Sequence, residues 1–149
     1  MKAPTNLSHK VIVEVADYDV HDGMYKNSSD AKALSMGEAQ WTSSEDAKDI
    51  SVKVWRHVNG QWSPQSEELP PHRVLDLSSL IATIYHDVKT HTSRNYRNGQ
   101  VLSSQSEFSI DVVDDGKVTL LENYFQTNDN VIYSRLKALK NQLNSMPEI

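Results

Sequence analysis

Ile50-Ser51-Val52-Lys53-Val54-Trp55-Arg56-His57-Val58-Asn59-Gly60-Gln61-Trp62-Ser63-Pro64 reads as a β-hairpin. Ile50, Val52 and Val54 alternate with Ser51, Lys53 and Trp55, the period-2 pattern of a strand with two unlike faces. Asn59-Gly60 then supplies the positive φ angles that a two-residue primed turn needs. A turn at that place sets the register, with His57 opposite Trp62 and Trp55 opposite Pro64. These four residues share one face, and Val52, Val54 and Val58 point to the other. Pro64 has no amide donor, so the second strand must sit at a sheet edge or leave the sheet there.

Working upstream, Val11, Val13 and Val15 alternate with Ile12, Glu14 and Ala16, which predicts a first strand. The run Asp17 to Gly23 and the polar stretch Lys26 to Asp30 predict a loop. Ala31 to Trp41 fits either a strand or a short glycine-broken helix, and the strand is preferred. Downstream, Leu69-Pro70-Pro71 opens a helix, because proline is tolerated in a first turn and Glu67 and Glu68 suit the positive end. Val74, Leu77, Ile81, Ile84 and Val88 recur at helical spacing, with Leu80 and Tyr85 widening the stripe. The segment 90–107 is rich in serine, asparagine and basic residues, which predicts an exposed, mobile connection. A second hairpin is expected next, with Phe108, Ile110 and Val112 on one strand, Asp114 to Lys117 as the turn, and Val118, Leu120 and Leu121 on the other. A closing helix follows, capped by Asn128 or Asp129, striped by Ile132, Leu136, Leu139, Leu143 and Met146, and ended by Pro147. That stripe is expected to pack on the domain's own sheet. Its alternative use is a helix–helix contact in a homo-oligomer.

Strands and helices thus fall in separate blocks, which predicts an α+β fold: an antiparallel sheet of β-hairpins with two amphipathic helices packed on it. At 149 residues, with no internal repeat, one domain spanning 1–149 is expected. Hydrophobic residues make up 38% and charged residues 23%, so the chain is neither disordered nor membrane-like in composition. The formal net charge of -5 opposes non-specific attraction to phosphate backbones or anionic lipid, so neither nucleic acid nor membrane is an expected partner. The absence of cysteine excludes disulfides, thiol nucleophiles and thiolate metal sites. Met1 to Asn6 carries no apolar run of signal-peptide length, and the expectation is a soluble cytoplasmic protein.

Familiar catalytic signatures are missing: there is no nucleophile elbow, phosphate-binding loop, dinucleotide fingerprint or paired-histidine zinc helix. Asp17, Asp19, Asp22 and Gly23 resemble a calcium loop only until the glycine falls one position late and Ser28 stands where a closing glutamate belongs. Aspartates bonding their own turn explain the same letters. His72 and Asp76 are one helical turn apart and could share a metal with His57, Glu67 or Glu68, but a solvated charge network accounts equally for that spacing. No metal or cofactor is therefore assigned. The aromatic hairpin face carries more information. Trp55 and Trp62 could stack a planar ligand, with Arg56, His57, His72 and Arg73 as positive contacts and Glu67 at the rim. The plain alternative is that the tryptophans are simply covered by the rest of the domain. Lys89, His91, Arg94, Tyr96 and Arg97 form a basic patch, in which Lys89, Arg94 and Arg97 are the candidate phosphate contacts; a solvated loop is again the plain alternative.

Trp55-Arg56-His57, Trp62-Ser63, Gln65 to Pro70 and His72 to Asp76, together with the Leu34 to Trp41 stretch, resemble a family of small bacterial proteins of unknown function. The resemblance covers roughly the first half of the chain. It implies no activity and no site residues. The expected function is accordingly read from the residues alone: a non-enzymatic binding protein for a small anionic, nucleotide-like ligand. The alternatives are a protein-interaction or inhibitor module using the same aromatics, and a metal-assisted hydrolase with His57 or His72 as base beside Glu67, Glu68 or Asp76.

Overall fold

A computed structural model describes residues 1–22, 25–41, 49–64, 69, 71–90, 100–103 and 106–148, with backbone only at 100–103 and 106–108. The strands are β1 (Lys10–Val15), β2 (Ala31–Glu38), β3 (Ile50–Val58), β4 (Gln61–Trp62), β5 (Gln100–Ser103), β6 (Ser106–Phe108) and β7 (Asp111–Val112). The helices are α1 (Pro71–Lys89), α2 (Val118–Thr127) and α3 (Asp129–Asn144). Five strands form one antiparallel sheet in the order β4-β3-β2-β1-β7, and β5 pairs with β6 separately. The architecture is α+β.

The hairpin holds the register its turn dictates. Asn59 and Gly60 take φ of 52° and 78°, and His57 pairs with Trp62. Val52 and Val54 lie on the helix-covered side of the sheet, in the core with Leu34, Leu80, Ile84, Leu121 and Phe125. Trp55 belongs to a smaller cluster on the reverse side, with Ala3, Val11 and Ala33, against which Trp62 and Val113 pack. The segment Ala31–Glu38 is a strand, as the preferred reading had it. At Gly37 an added Cβ would lie 2.0 Å from the Lys10 carbonyl oxygen, so β1 and β2 can approach as they do only because that position has no side chain.

The structure revises several expectations. Strict alternation in β1 fails, because a register shift between Val11 and Val13 leaves Ile12, Val13 and Val15 in the main core and turns Val11 to the reverse face. Val74 does not face the core but is 47% exposed, while Arg73 beside it is drawn inward. The second hairpin is absent. Val118 and Leu121 start α2, since Val118, Leu121 and Phe125 follow helical spacing and the latter two are buried. The preceding Asp115–Lys117 is a 3-10 turn in which the Asp114 carboxylate accepts the Gly116 N–H at 3.1 Å. The short β7 pairs with β1 instead, Val112 with Val13 and Asp111 with Glu14. Finally, the expected connection over 90–107 contains the β5–β6 pair; residues 91–99 lie outside the described residues.

α3 follows its predicted stripe only in part. Ile132 and Leu136 pack against the core, whereas Leu139, Leu143 and Met146 are 40%, 36% and 39% exposed. Asn128 precedes the helix without capping it: its side-chain N–H donates backward to the Tyr124 carbonyl. Asp129 instead accepts from the Tyr85 hydroxyl at 2.7 Å and from Lys89 at 3.0 Å, which ties α3 to α1. Among the described residues no helix is long and apolar enough to cross a membrane.

The difference between the two helices is testable by chemical denaturation. Leu121→Ala removes a side chain with no exposure and should lower unfolding free energy by about 2–5 kcal/mol. Leu139→Ala should cost less than about 1 kcal/mol in the monomer. Equal losses for both variants would mean that the far half of α3 is covered in solution.

Candidate functional site

Alternation along β3 sets Ser51, Lys53, Trp55 and His57 on the reverse face. Trp55 is 1% exposed and donates its indole N–H to Ser35 Oγ at 2.8 Å. His9, 2% exposed, places its ring edge against Trp55 at 5.7 Å between centroids. Its Nε2 is 3.0 Å from Ser35 Oγ and its Nδ1 3.0 Å from Ser51 Oγ. Ser35 Oγ thus accepts from Trp55 while meeting His9 Nε2, and Ser51 Oγ meets His9 Nδ1, so both ring nitrogens are bonded. Burial, helped by the charge of Lys53, brings the His9 pKa down to about 4, which matches this neutral, fully bonded ring. A serine beside a histidine resembles a nucleophile and its base, but Ser35 has no exposure and serves the packing of Trp55.

The exposed end of this aromatic row is Trp62. Its ring meets Trp55 edge-on at 5.8 Å and His57 at 4.9 Å. Trp62, His57 and Lys53 are half-buried. Lys53 Nζ stands 4.3 Å from the Trp55 ring centroid, burial lowers its pKa, and it pairs with no carboxylate among the described residues.

The cations grouped with these rings by sequence lie elsewhere. Arg56 falls on the helix-covered side with Val54, where its Nη2 bonds Asp30 Oδ2 at 2.6 Å and its Nε bonds Oδ1 at 3.1 Å. Arg73 and His72, in the first turn of α1, converge on Asp22, which has no exposure. Arg73 Nη2 reaches Asp22 Oδ2 at 2.8 Å, Arg73 Nε reaches Oδ1 at 3.1 Å, and His72 Nε2 lies 2.7 Å from Oδ1. The Ser29 hydroxyl donates to the same carboxylate. Burial alone would raise the pKa of Asp22, yet the hydrogen bonds from Arg73, Ser29 and His72 outweigh it and hold the carboxyl below its usual range. Tyr18, equally buried, donates its hydroxyl to Asp76, whose carboxyl burial pushes up. Asp76 thus faces Tyr18 through one of its oxygens.

The three aspartates that imitate a calcium loop each answer a cation of the protein: Asp17 the amino terminus, Asp19 the Lys32 ammonium at 3.0 Å, Asp22 the Arg73 guanidinium. Among the described residues no three His, Cys, Asp or Glu are grouped to hold a metal ion. Lys89, at the end of α1, is paired with Asp129. Glu67, Arg94 and Arg97 lie outside the described residues. Of the sequence candidates, the structure therefore brings together Trp55, His57 and Trp62 on one face, and His72 with Arg73 on the other. Sequence reading missed the partners that divide them: Asp22, Ser29 and Asp30 are far from Arg56 and Arg73 along the chain and carry no local signal. Ser35 was legible in principle, since period-2 spacing places it on the reverse face of β2.

Over residues 1–148 the chain matches the profile of a family of unknown function, DUF6530. It belongs to that family. The match extends well past the first half of the chain, where the sequence resemblance stopped, and brings no activity with it. No curated protein and no solved structure matches the chain. The family assignment thus leaves the site to be argued from its geometry.

Two outcomes follow from these networks. Arg73→Met leaves Asp22 buried without its main counter-charge and should lower stability by about 3–5 kcal/mol; adding Asp22→Asn should recover part of that loss, as read by urea denaturation of the double variant. His9 has a folded pKa of about 4 against 6.5 unfolded, so the unfolded chain binds the extra proton between those values. Its contribution is complete above pH 6.5 and lost as pH falls toward 4, on the order of 3 kcal/mol in all. His9→Asn should flatten the stability profile across that window, and a profile of unchanged slope would contradict the neutral-ring assignment.

Proposed function

We propose that the protein is a non-enzymatic binding protein for a small anionic ligand carrying a planar, nucleotide-like group, seated on the reverse face of the hairpin. Lys53 carries this reading: it is a half-buried ammonium above an aromatic ring, with no opposing carboxylate among the described residues. Trp62 would stack the planar group, His57 would border it, and Lys53 would meet the anionic group. Trp55 forms the floor. Arg56, His72 and Arg73 enter only by holding the loop and helix behind the sheet, because the two guanidinium groups are paired with Asp30 and Asp22 and His72 Nε2 is bonded to Asp22. The same reading keeps the protein in a cytoplasmic compartment, in line with a core that uses no cysteine.

A second reading, a protein partner anchored on the same aromatics, draws on the sheet edge. β4 pairs only with His57 and Val58, so the outer edge of β3 from Ile50 to Trp55 has no strand partner among the described residues. An extended peptide could add there.

Calorimetry and thermal shift with AMP and inorganic phosphate separate the two. AMP should raise the melting temperature, and Lys53→Met or Trp62→Ala should each weaken its binding about tenfold while leaving the free protein folded. No response to AMP at millimolar concentration removes the ligand reading and leaves the peptide edge.

A further inference from the structure

Where the amino-terminal segment crosses the reverse face beside β1 and β7 there is a cavity of about 470 Å³, lined by Lys2, Ala3, Thr5, Glu14, Asp111, Val112 and Val113. That volume is of small-ligand size. Its chemistry is unusual for an ordinary surface cleft. Glu14 and Asp111 are register partners on adjacent antiparallel strands, so two like charges stand directly opposite one another, a placement that destabilises a sheet unless something answers it. Glu14 is 3% exposed. Its Oε2 accepts the Ala3 N–H at 2.7 Å, while Oε1 has no donor and the carboxylate no ion-pair partner among the described residues. Every other buried carboxylate described above faces a cation or a hydroxyl donor. Burial, and then Asp111, push the Glu14 carboxyl above its usual range, against the smaller opposing effects of the Ala3 N–H and the Lys2 ammonium.

We propose that this cavity binds the primary ammonium end of a small ligand, with Glu14 and Asp111 as its counter-ions and Ala3 and Val113 against its alkyl stem. A divalent metal fits poorly, because two carboxylates and the Thr5 hydroxyl fall short of the six to eight oxygens calcium takes. An anion is opposed by the carboxylates. Lys2 lies on the lining as well, so a ligand with an acceptor at its far end, such as an amino-carboxylate, matches the cavity better than a diamine.

The test uses the full chain with four probes: n-butylamine, 4-aminobutanoate, butanoate and calcium chloride. Backbone amide shifts of Ala3, Thr5 and Val113 should move with the first two and not with butanoate or calcium, and the melting temperature should rise with the same pair. Asp111→Asn, at an exposed position that leaves the core intact, should weaken n-butylamine binding about tenfold; Glu14→Gln should abolish it. If Glu14→Gln fails to fold, the Asp111 variant decides. A response to butanoate equal to that of n-butylamine, a calcium response lost in Asp111→Asn, or an n-butylamine affinity unchanged by Asp111→Asn would each overturn the assignment.

Discussion

The arrangement of elements behind the sheet depends on one buried charge. Asp22 sits without exposure in the long connection between β1 and β2, and an isolated carboxylate there would cost several kcal/mol. It is tolerable only because Arg73 approaches it along both oxygens while Ser29 and His72 take up remaining acceptor sites. That requirement couples three things that are distant in sequence: the loop, the start of β2 and the first turn of α1. It also decides which face of α1 is inward, since pulling Arg73 toward the loop turns Val74 and Leu75 to solvent. Asp30 with Arg56 and Asp19 with Lys32 repeat the device at partly exposed positions, where each pair contributes less.

The two faces of the sheet are finished by different physics. On the helix side, burial of Val, Leu, Ile and Phe against α1 and α2 supplies the hydrophobic term. On the reverse side there is no helix among the described residues, and the amino-terminal segment provides the cover. It is held by a polar chain, Trp55 to Ser35 to His9 to Ser51, in which the indole N–H and both imidazole nitrogens are bonded. Such a network stabilises only while each member keeps its protonation state, which is why a histidine with a depressed pKa belongs in it. The same thin cover leaves the aromatic end at Trp62 and the cavity at Glu14 open on that side.

How far the sequence was readable follows the range of the interactions. The turn and the His57–Trp62 pairing were legible, because Asn59-Gly60 is a local signal, whereas β4 ends at Trp62, short of the Pro64 expected opposite Trp55. The strand at Ala31–Glu38 and the helix at Pro71–Lys89 were legible from period. Val118 to Leu121 were not, since a short apolar run fits a strand or a helix until Phe125 is seen to complete the spacing. The far half of α3 shows the opposite failure: a continuous stripe promised burial, and the helix runs past the body that could bury it. For the site, the aromatic face was legible as a face. The cations were not separable from it, because residue type reveals a charge but not its partner 26 or 51 positions away.

That last point gives a criterion for where function resides. In a folded chain most buried or half-buried charges are answered internally, and here Asp22, Asp30, Arg56 and Arg73 are answered so fully that little of their charge is left for a ligand. Counting cations near an aromatic patch therefore overstates its affinity for anions. The informative groups are those the fold leaves uncompensated among the described residues: Lys53 over an aromatic ring at the hairpin, and Glu14 against Asp111 at the cavity. A buried charge without a counter-charge costs stability relative to a neutral side chain of similar shape. The two sites carry opposite signs and lie on the same thinly covered face, so the reverse face of the sheet, not the helix-packed one, is where an external charge would recover that lost stabilisation.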